Sequence, residues 1–122
     1  MTDTKTHTGG CHCGAVRFEV ELDLAAPMTE CNCSICGKSG TRLAFVPDHK
    51  FTLKSGEEAL RDYQFNKKQI HHQFCSTCGV RSFSHGKGHD GGETYSINVR
   101  CLDGVGVTAD GLPVEHFDGA SL

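Results

Sequence analysis

Apolar and polar side chains alternate one for one across residues 16–22, with Val16, Phe18, Val20 and Leu22 on one side and Arg17, Glu19 and Glu21 on the other. A period of two is the signature of a half-buried strand, here predicted over residues 15–22. Shorter runs of the same kind recur at 43–46, 51–54, 60–65, 70–74, 80–83 and 94–99. Turn-forming residues stand between them at 23–27, 55–58 and 66–68, and Pro47-Asp48 stops the second run. Residues 112–117 read as an extended segment lying over the sheet. No stretch carries an apolar stripe at helical spacing, so the pattern predicts an all-β fold of antiparallel hairpins with little helix. Residues 1–9 are polar, lack periodicity and run into Gly9-Gly10, which predicts a mobile leader ahead of one β domain over 10–122.

Composition adds a problem and its solution. The chain has 122 residues, 37% of them hydrophobic, and fifteen glycines, so the expected core is modest and loop-rich and needs cross-links. Cysteine supplies them. Seven of the eight cysteines fall in Cys11-His12-Cys13-Gly14, Cys31-Asn32-Cys33-Ser34-Ile35-Cys36-Gly37 and Cys75-Ser76-Thr77-Cys78-Gly79. A Cys-x-x-Cys-Gly knuckle lets two thiolates reach one tetrahedral ion at about 2.3 Å, the glycine turning backbone amides toward sulfur. The sequence contains that knuckle twice. Cys11 and Cys13 can share an ion only if their strand bends, which Gly9, Gly10 and Gly14 permit; His12 then points elsewhere.

Compartment separates metal from disulfides. The first residues do not resemble a secretory signal, and no apolar stretch approaches the roughly 20 residues that cross a bilayer. The expectation is a cytoplasmic protein with no membrane association, in which thiols stay reduced and a cysteine framework binds metal, most simply zinc. Neither Cys-x-x-Cys sits in a βαβ pattern, which argues against thioredoxin-like redox chemistry. The formal charge of −3 becomes −6 once seven thiolates and two divalent ions are counted. A net acid is a poor partner for nucleic acid, and Lys67-Lys68 reads as a solvated turn. The glycine-rich stretch 85–92 precedes no helix and is not a phosphate-binding loop.

Seven thiols divide as four plus three. A closed Cys₄ site is structural, whereas three protein ligands leave a position for another molecule. Spacing permits two divisions. Cys33 and Cys36 can join Cys75 and Cys78, leaving Cys11, Cys13 and Cys31; or Cys11 and Cys13 can join Cys75 and Cys78, leaving Cys31, Cys33 and Cys36. The second is preferred because three ligands within six residues chelate with little loop-closure cost. Three thiolates more than neutralise a zinc ion, so bound water is less acidified than at His₃ sites and a soft fourth ligand is favoured, an external thiol above all. Lys38 and Arg42 are the nearest cations for the carboxylates of such a thiol. Cys101, then His71, His72 or His116, are the candidates that would instead close the site. Cys101 otherwise reads as a small buried hydrophobe, and of His71 and His72 one is expected outside and one in the core.

Gly10-Cys11-His12-Cys13-Gly14, Cys31-Asn32-Cys33-Ser34-Ile35-Cys36, Phe74-Cys75-Ser76-Thr77-Cys78-Gly79 and Asn98-Val99-Arg100-Cys101-Leu102-Asp103 together resemble the glutathione-dependent formaldehyde-activating enzyme family, which includes centromere protein V. The resemblance implies a β-tent-like fold shared with Rab exchange accessory proteins. It implies two zinc ions, one structural on Cys11, Cys13, Cys75 and Cys78 and one catalytic on Cys31, Cys33 and Cys36. It also implies carbon-sulfur lyase chemistry, glutathione adding to formaldehyde to give S-hydroxymethylglutathione. Two functions from different classes follow: a zinc-dependent lyase acting on small thiol adducts, or a non-catalytic zinc-stabilised binding module. An exchangeable position at the Cys31 cluster separates them.

Overall fold

A computed structural model describes residues 4–64, 70–87, 92–105 and 111–118. The strands are β1 (Lys5–Gly10), β2 (Arg17–Leu22), β3 (Met28–Cys31), β4 (Leu43–Pro47), β5 (Phe51–Ser55), β6 (Leu60–Tyr63), β7 (Ile70–Cys75), β8 (Phe83–Lys87), β9 (Glu93–Asn98) and β10 (Val114–Phe117), with one short helix, α1 (Ser34–Ser39). They form a three-stranded sheet, β1-β2-β5, and a seven-stranded sheet, β10-β3-β4-β9-β8-β7-β6. The fold is the expected β-rich one, antiparallel throughout except where β10 runs parallel to β3. The expected solvated turn at Lys67-Lys68, the residue Phe65 and the centre of the glycine-rich stretch, 88–91, lie outside the described residues.

The alternation that predicts β2 works because that strand faces the core. Phe18 and Val20 are 1% exposed and pack with Val16, Phe83, Ile97 and Val46. Phe18 stacks on Phe51 at 5.4 Å and meets the edge of Phe83 at 6.0 Å, so aromatic rings from both sheets close the interior.

Four local expectations change. First, residues 5–9 are strand rather than leader: β1 pairs with β2 from Lys5↔Leu22 to Gly10↔Arg17. The run lacks apolar alternation because the backbone ladder, not side-chain burial, holds it. Gly9-Gly10 serves close approach, since a Cβ on Gly10 would lie 2.0 Å from the Val16 carbonyl oxygen. Gly10→Ala is therefore expected to destabilise the protein by about 1–3 kcal/mol through overpacking, read as a lower midpoint in denaturant melts; an unchanged midpoint would show that β1 yields freely. Second, the run expected as a strand at 80–83 begins at Phe83 and extends to Lys87, taking in part of the glycine-rich stretch. Third, the tail is not laid over the sheet but extends its edge as β10. Fourth, only one knuckle glycine turns left-handed: Gly79 has φ +78, whereas Gly37 lies inside α1.

Candidate active site

Two hairpin turns carry the first cluster. Cys11 and Cys13 leave β1, with the Cys11 N–H donating to the Val16 carbonyl at 3.1 Å; Cys75 ends β7, with its N–H donating to the Val80 carbonyl at 3.1 Å. The four sulfurs of Cys11, Cys13, Cys75 and Cys78 lie within 4.8 Å of one another. Cys11 Sγ is 3.6 Å from Cys13 Sγ, which is 3.7 Å from Cys75 Sγ. Those spacings suit the edge of a tetrahedron, about 3.8 Å for metal–sulfur bonds of about 2.3 Å, and are far from a disulfide. Backbone N–H groups point at sulfur, from Val16 to Cys11 at 3.3 Å and from Thr77 to Cys75 at 3.4 Å. Hydrogen bonds from the backbone of Cys13 and then Val80 draw the Cys78 thiol down to about 6, whereas at Cys13 a hydrogen bond from the Ala15 backbone is outweighed by burial and the thiols of Cys11, Cys75 and Cys78, which raise it to about 11. The donor set of this cluster could hold a metal ion, and Cys11 and Cys75 are buried.

The second cluster is built locally. Cys31 is the last residue of β3, Cys33 is the N-cap of α1 and Cys36 lies one turn inside it, which brings the three sulfurs within 4.8 Å of each other. The Cys33 N–H points at Cys31 Sγ, 3.4 Å away. Burial, then the neighbouring Cys33, push the Cys36 thiol up to about 11. At Cys33 burial acts in the same upward sense, but hydrogen bonds from the Cys36 backbone and thiol, with others, outweigh it and lower the group. The two sulfurs of the pair are thus shifted in opposite directions, Cys33 down and Cys36 up. All three are only half-buried. Among the described residues no further His, Cys, Asp or Glu joins them.

The sulfurs are thus grouped in the second of the two divisions open to the sequence. Cys101 does not stand with the Cys31 cluster. It takes a hydrogen bond from Asn98 Nδ2 at 3.6 Å, and burial, then the charges of Cys11 and Cys78, raise it to about 11. Its place is beside the four-sulfur cluster. His72 is buried, its Nδ1 3.1 Å from Arg81 Nη1, while His71 pairs with Asp62 at 2.6 Å nearer the surface. Neither histidine joins the triad.

Cys31 and Cys36 line a cavity of about 510 Å³ whose wall also contains Arg100, His116, Glu30 and Asp118. Two features aim these groups. Asn98 Oδ1 accepts the Arg100 N–H at 3.3 Å and so caps the tight turn Val99–Cys101, which fixes where Arg100 leaves the chain. The parallel register of β10 on β3 sets His116 opposite Glu30 and Phe117 opposite Cys31, leaving His116 Nδ1 3.8 Å from Glu30 Oε1. The predicted cations take other places. Arg42 holds Glu30 at 3.2 Å from outside the cavity lining, and Lys38 lines a separate hollow with Ser34, Ile35 and Tyr63. The sequence reading passed over Arg100 and took His116 only as a candidate to close the metal site. Arg100 does stand within the Asn98–Asp103 motif, and that was the available signal.

Comparison with known proteins gives three findings. The sequence profile described as glutathione-dependent formaldehyde-activating enzyme matches residues 6–116. A Halomonas elongata protein provisionally named a glutathione-dependent formaldehyde-activating enzyme is 35% identical over 78 residues, covering 57% of this chain. The match spans half of that relative's length. A Rhodobacter sphaeroides protein of known crystal structure superposes with a TM-score of 0.77 at 36% identity, over 90% of this chain and 99% of its own. No helix among the described residues is long and apolar enough to cross a membrane.

Proposed function

The chain belongs to the glutathione-dependent formaldehyde-activating enzyme family, and from that membership we propose that it joins a small thiol such as glutathione to formaldehyde, as a zinc-dependent enzyme of the carbon-sulfur lyase type. One observation carries the reading: a three-sulfur cluster has no fourth protein ligand among the described residues, and two of its members, Cys31 and Cys36, line a cavity. In the reaction a carbon–sulfur bond forms, the carbonyl π bond breaks, and the thiol proton ends on the former carbonyl oxygen; the reverse is the lyase direction.

A zinc ion held by Cys31, Cys33 and Cys36 supplies Lewis acidity and a soft fourth position suited to sulfur. The chain's own residues do the rest. Arg100 holds a carboxylate of the thiol substrate. The His116–Glu30 pair takes the thiol proton and returns it to oxygen, a transfer within reach of an imidazole backed by a carboxylate. Arg42 keeps Glu30 in place, and Lys38 lies too far round α1 to share the cavity. The cluster of Cys11, Cys13, Cys75 and Cys78 holds a second zinc as a closed, structural site. A reducing compartment such as the cytoplasm, where we place the protein, keeps all these thiols available.

Metal analysis with cobalt replacement tests the reading. Two ions per chain are expected, one of which changes its absorption when glutathione is added. A single ion whose spectrum ignores thiols would overturn it. Arg100→Gln is expected to raise KM for glutathione about tenfold with kcat little changed, the mark of lost ground-state binding; an equal fall in kcat would remove Arg100 from the anchoring role.

A further inference from the structure

Strand β10 is an edge of the seven-stranded sheet, four residues long, and pairs there with β3. Glu115, His116 and Phe117 in it are exposed, so side-chain burial does little to hold it, and such a strand opens locally before the rest of the fold does. Yet β10 carries His116, which the thiol site needs at its cavity wall. Side chains alternate along a strand, so a slip of one residue against β3 would turn His116 to the opposite face. The register at this end has to be pinned.

Asn32 stands where the pin is needed. It lies between Cys31 and Cys33, two members of the sulfur triad. Its backbone N–H donates to the Phe117 carbonyl at 3.2 Å, and its side-chain Nδ2 donates to Asp118 Oδ1 at 3.0 Å. The pairing thus runs in step, His116 with Glu30, Phe117 with Cys31 and then Asp118 with Asn32. An amide donating to a carboxylate makes a charge-assisted bond, stronger than one between neutral groups. Asn32 and Asp118 both line the thiol cavity beside His116. We propose that Asn32 is a positioning residue of the thiol site: its side chain, bonded to Asp118, pins β10 in the register that keeps His116 at the cavity. The proposal rests on the proton-carrying role given to His116 above, and adds that the loop bearing the sulfurs sets where that carrier stands.

The test compares Asn32→Ala, which keeps the backbone bond and removes the amide, with Asn32→Asp, which sets two carboxylates against each other. A third variant, Asn32→Asp with Asp118→Asn, exchanges donor and acceptor. Hydrogen exchange of the β10 amides, metal content and turnover of glutathione with formaldehyde are read on each. The bond is exposed, so the expected effects are several-fold. In Asn32→Ala the β10 amides exchange about fivefold faster while those of β2 are unchanged, and kcat falls about fivefold with KM for glutathione and metal content held. Asn32→Asp is worse on both counts, and the exchanged pair returns both to within about twofold of the parent. In a His116→Ala background Asn32→Ala has no further effect on turnover, because it acts through that ring. Glu115→Gln, in the same strand but outside the cavity lining, changes neither and is the control. Unmoved exchange in Asn32→Ala, loss of metal from it, an exchanged pair as poor as Asn32→Asp, or an equal fall in the His116→Ala background would each overturn the proposal. A parent inactive toward formaldehyde would overturn the reading of the reaction instead, and β10 exchange alone would then decide whether Asn32 pins the strand.

Discussion

Cys75→Ser is expected to remove one metal ion per chain and to lower the melting temperature by about 20 °C or more, if a cooperative transition survives at all. Cys75 is fully buried, receives the Thr77 N–H on its sulfur and stands 3.7 Å from Cys13 Sγ. It therefore ties the β7 end to the β1–β2 turn across more than sixty residues of chain. A structural zinc in small domains contributes an apparent 10–16 kcal/mol or so, against a whole-domain stability of about 5–15 kcal/mol. The ion's contribution is thus on the scale of the entire fold, and the serine hydroxyl is a far poorer ligand than thiolate. Cys101→Ala is the internal control. That thiol neighbours the same cluster without belonging to it, so its loss is expected to cost only about 1–2 kcal/mol and no metal. Circular dichroism melts paired with metal analysis check both. If the Cys75 variant kept its metal and melted within a few degrees of the parent, the structural assignment would fail.

The sequence was most legible where local pattern and burial coincide. Strand β2 announces itself because its alternate residues face one core, and the grouping of Cys31, Cys33 and Cys36 follows the low closure cost of a six-residue chelate. Elements held by distant backbone partners left little trace. Strand β1 is a polar run stabilised by its ladder to β2. Strand β10 joins β3 across a separation of 86 positions, Val114 against Met28, and nothing local encodes that parallel pairing. Helix α1, six residues long with none buried, is too short to show a stripe. The meeting of Arg100 and His116 at one cavity was hidden for the same reason: one is aimed by a capped turn, the other by β10, so their convergence is a property of the closed fold.

Serine substitutions in the other cluster should separate chemistry from stability. Cys31→Ser, Cys33→Ser and Cys36→Ser are each expected to cut turnover of glutathione with formaldehyde by about 10³-fold, as losing an activating metal should, while the melting temperature moves by only a few degrees. The contrast with Cys75 follows from position. The three sulfurs are half-buried on the end of an inner strand next to β10 and on a helix with no buried residue, so few core contacts depend on them. Two remaining thiolates cannot hold the ion firmly, and cobalt bound there should lose the absorption change that thiol addition produces. The substitutions also disturb the sulfur pair itself. Burial raises Cys33, and hydrogen bonds from the Cys36 backbone and then its thiol outweigh it; Cys36→Ser keeps the first and removes the second, so metal should be lost from this site at a higher pH than in the parent, and a titration of metal retention against pH reads this directly. Retained turnover, together with an unchanged cobalt spectrum, would make the triad a bystander. A stability loss as large as that of Cys75→Ser would instead make it a second structural staple, and the enzyme reading would give way to a zinc-stabilised binding module.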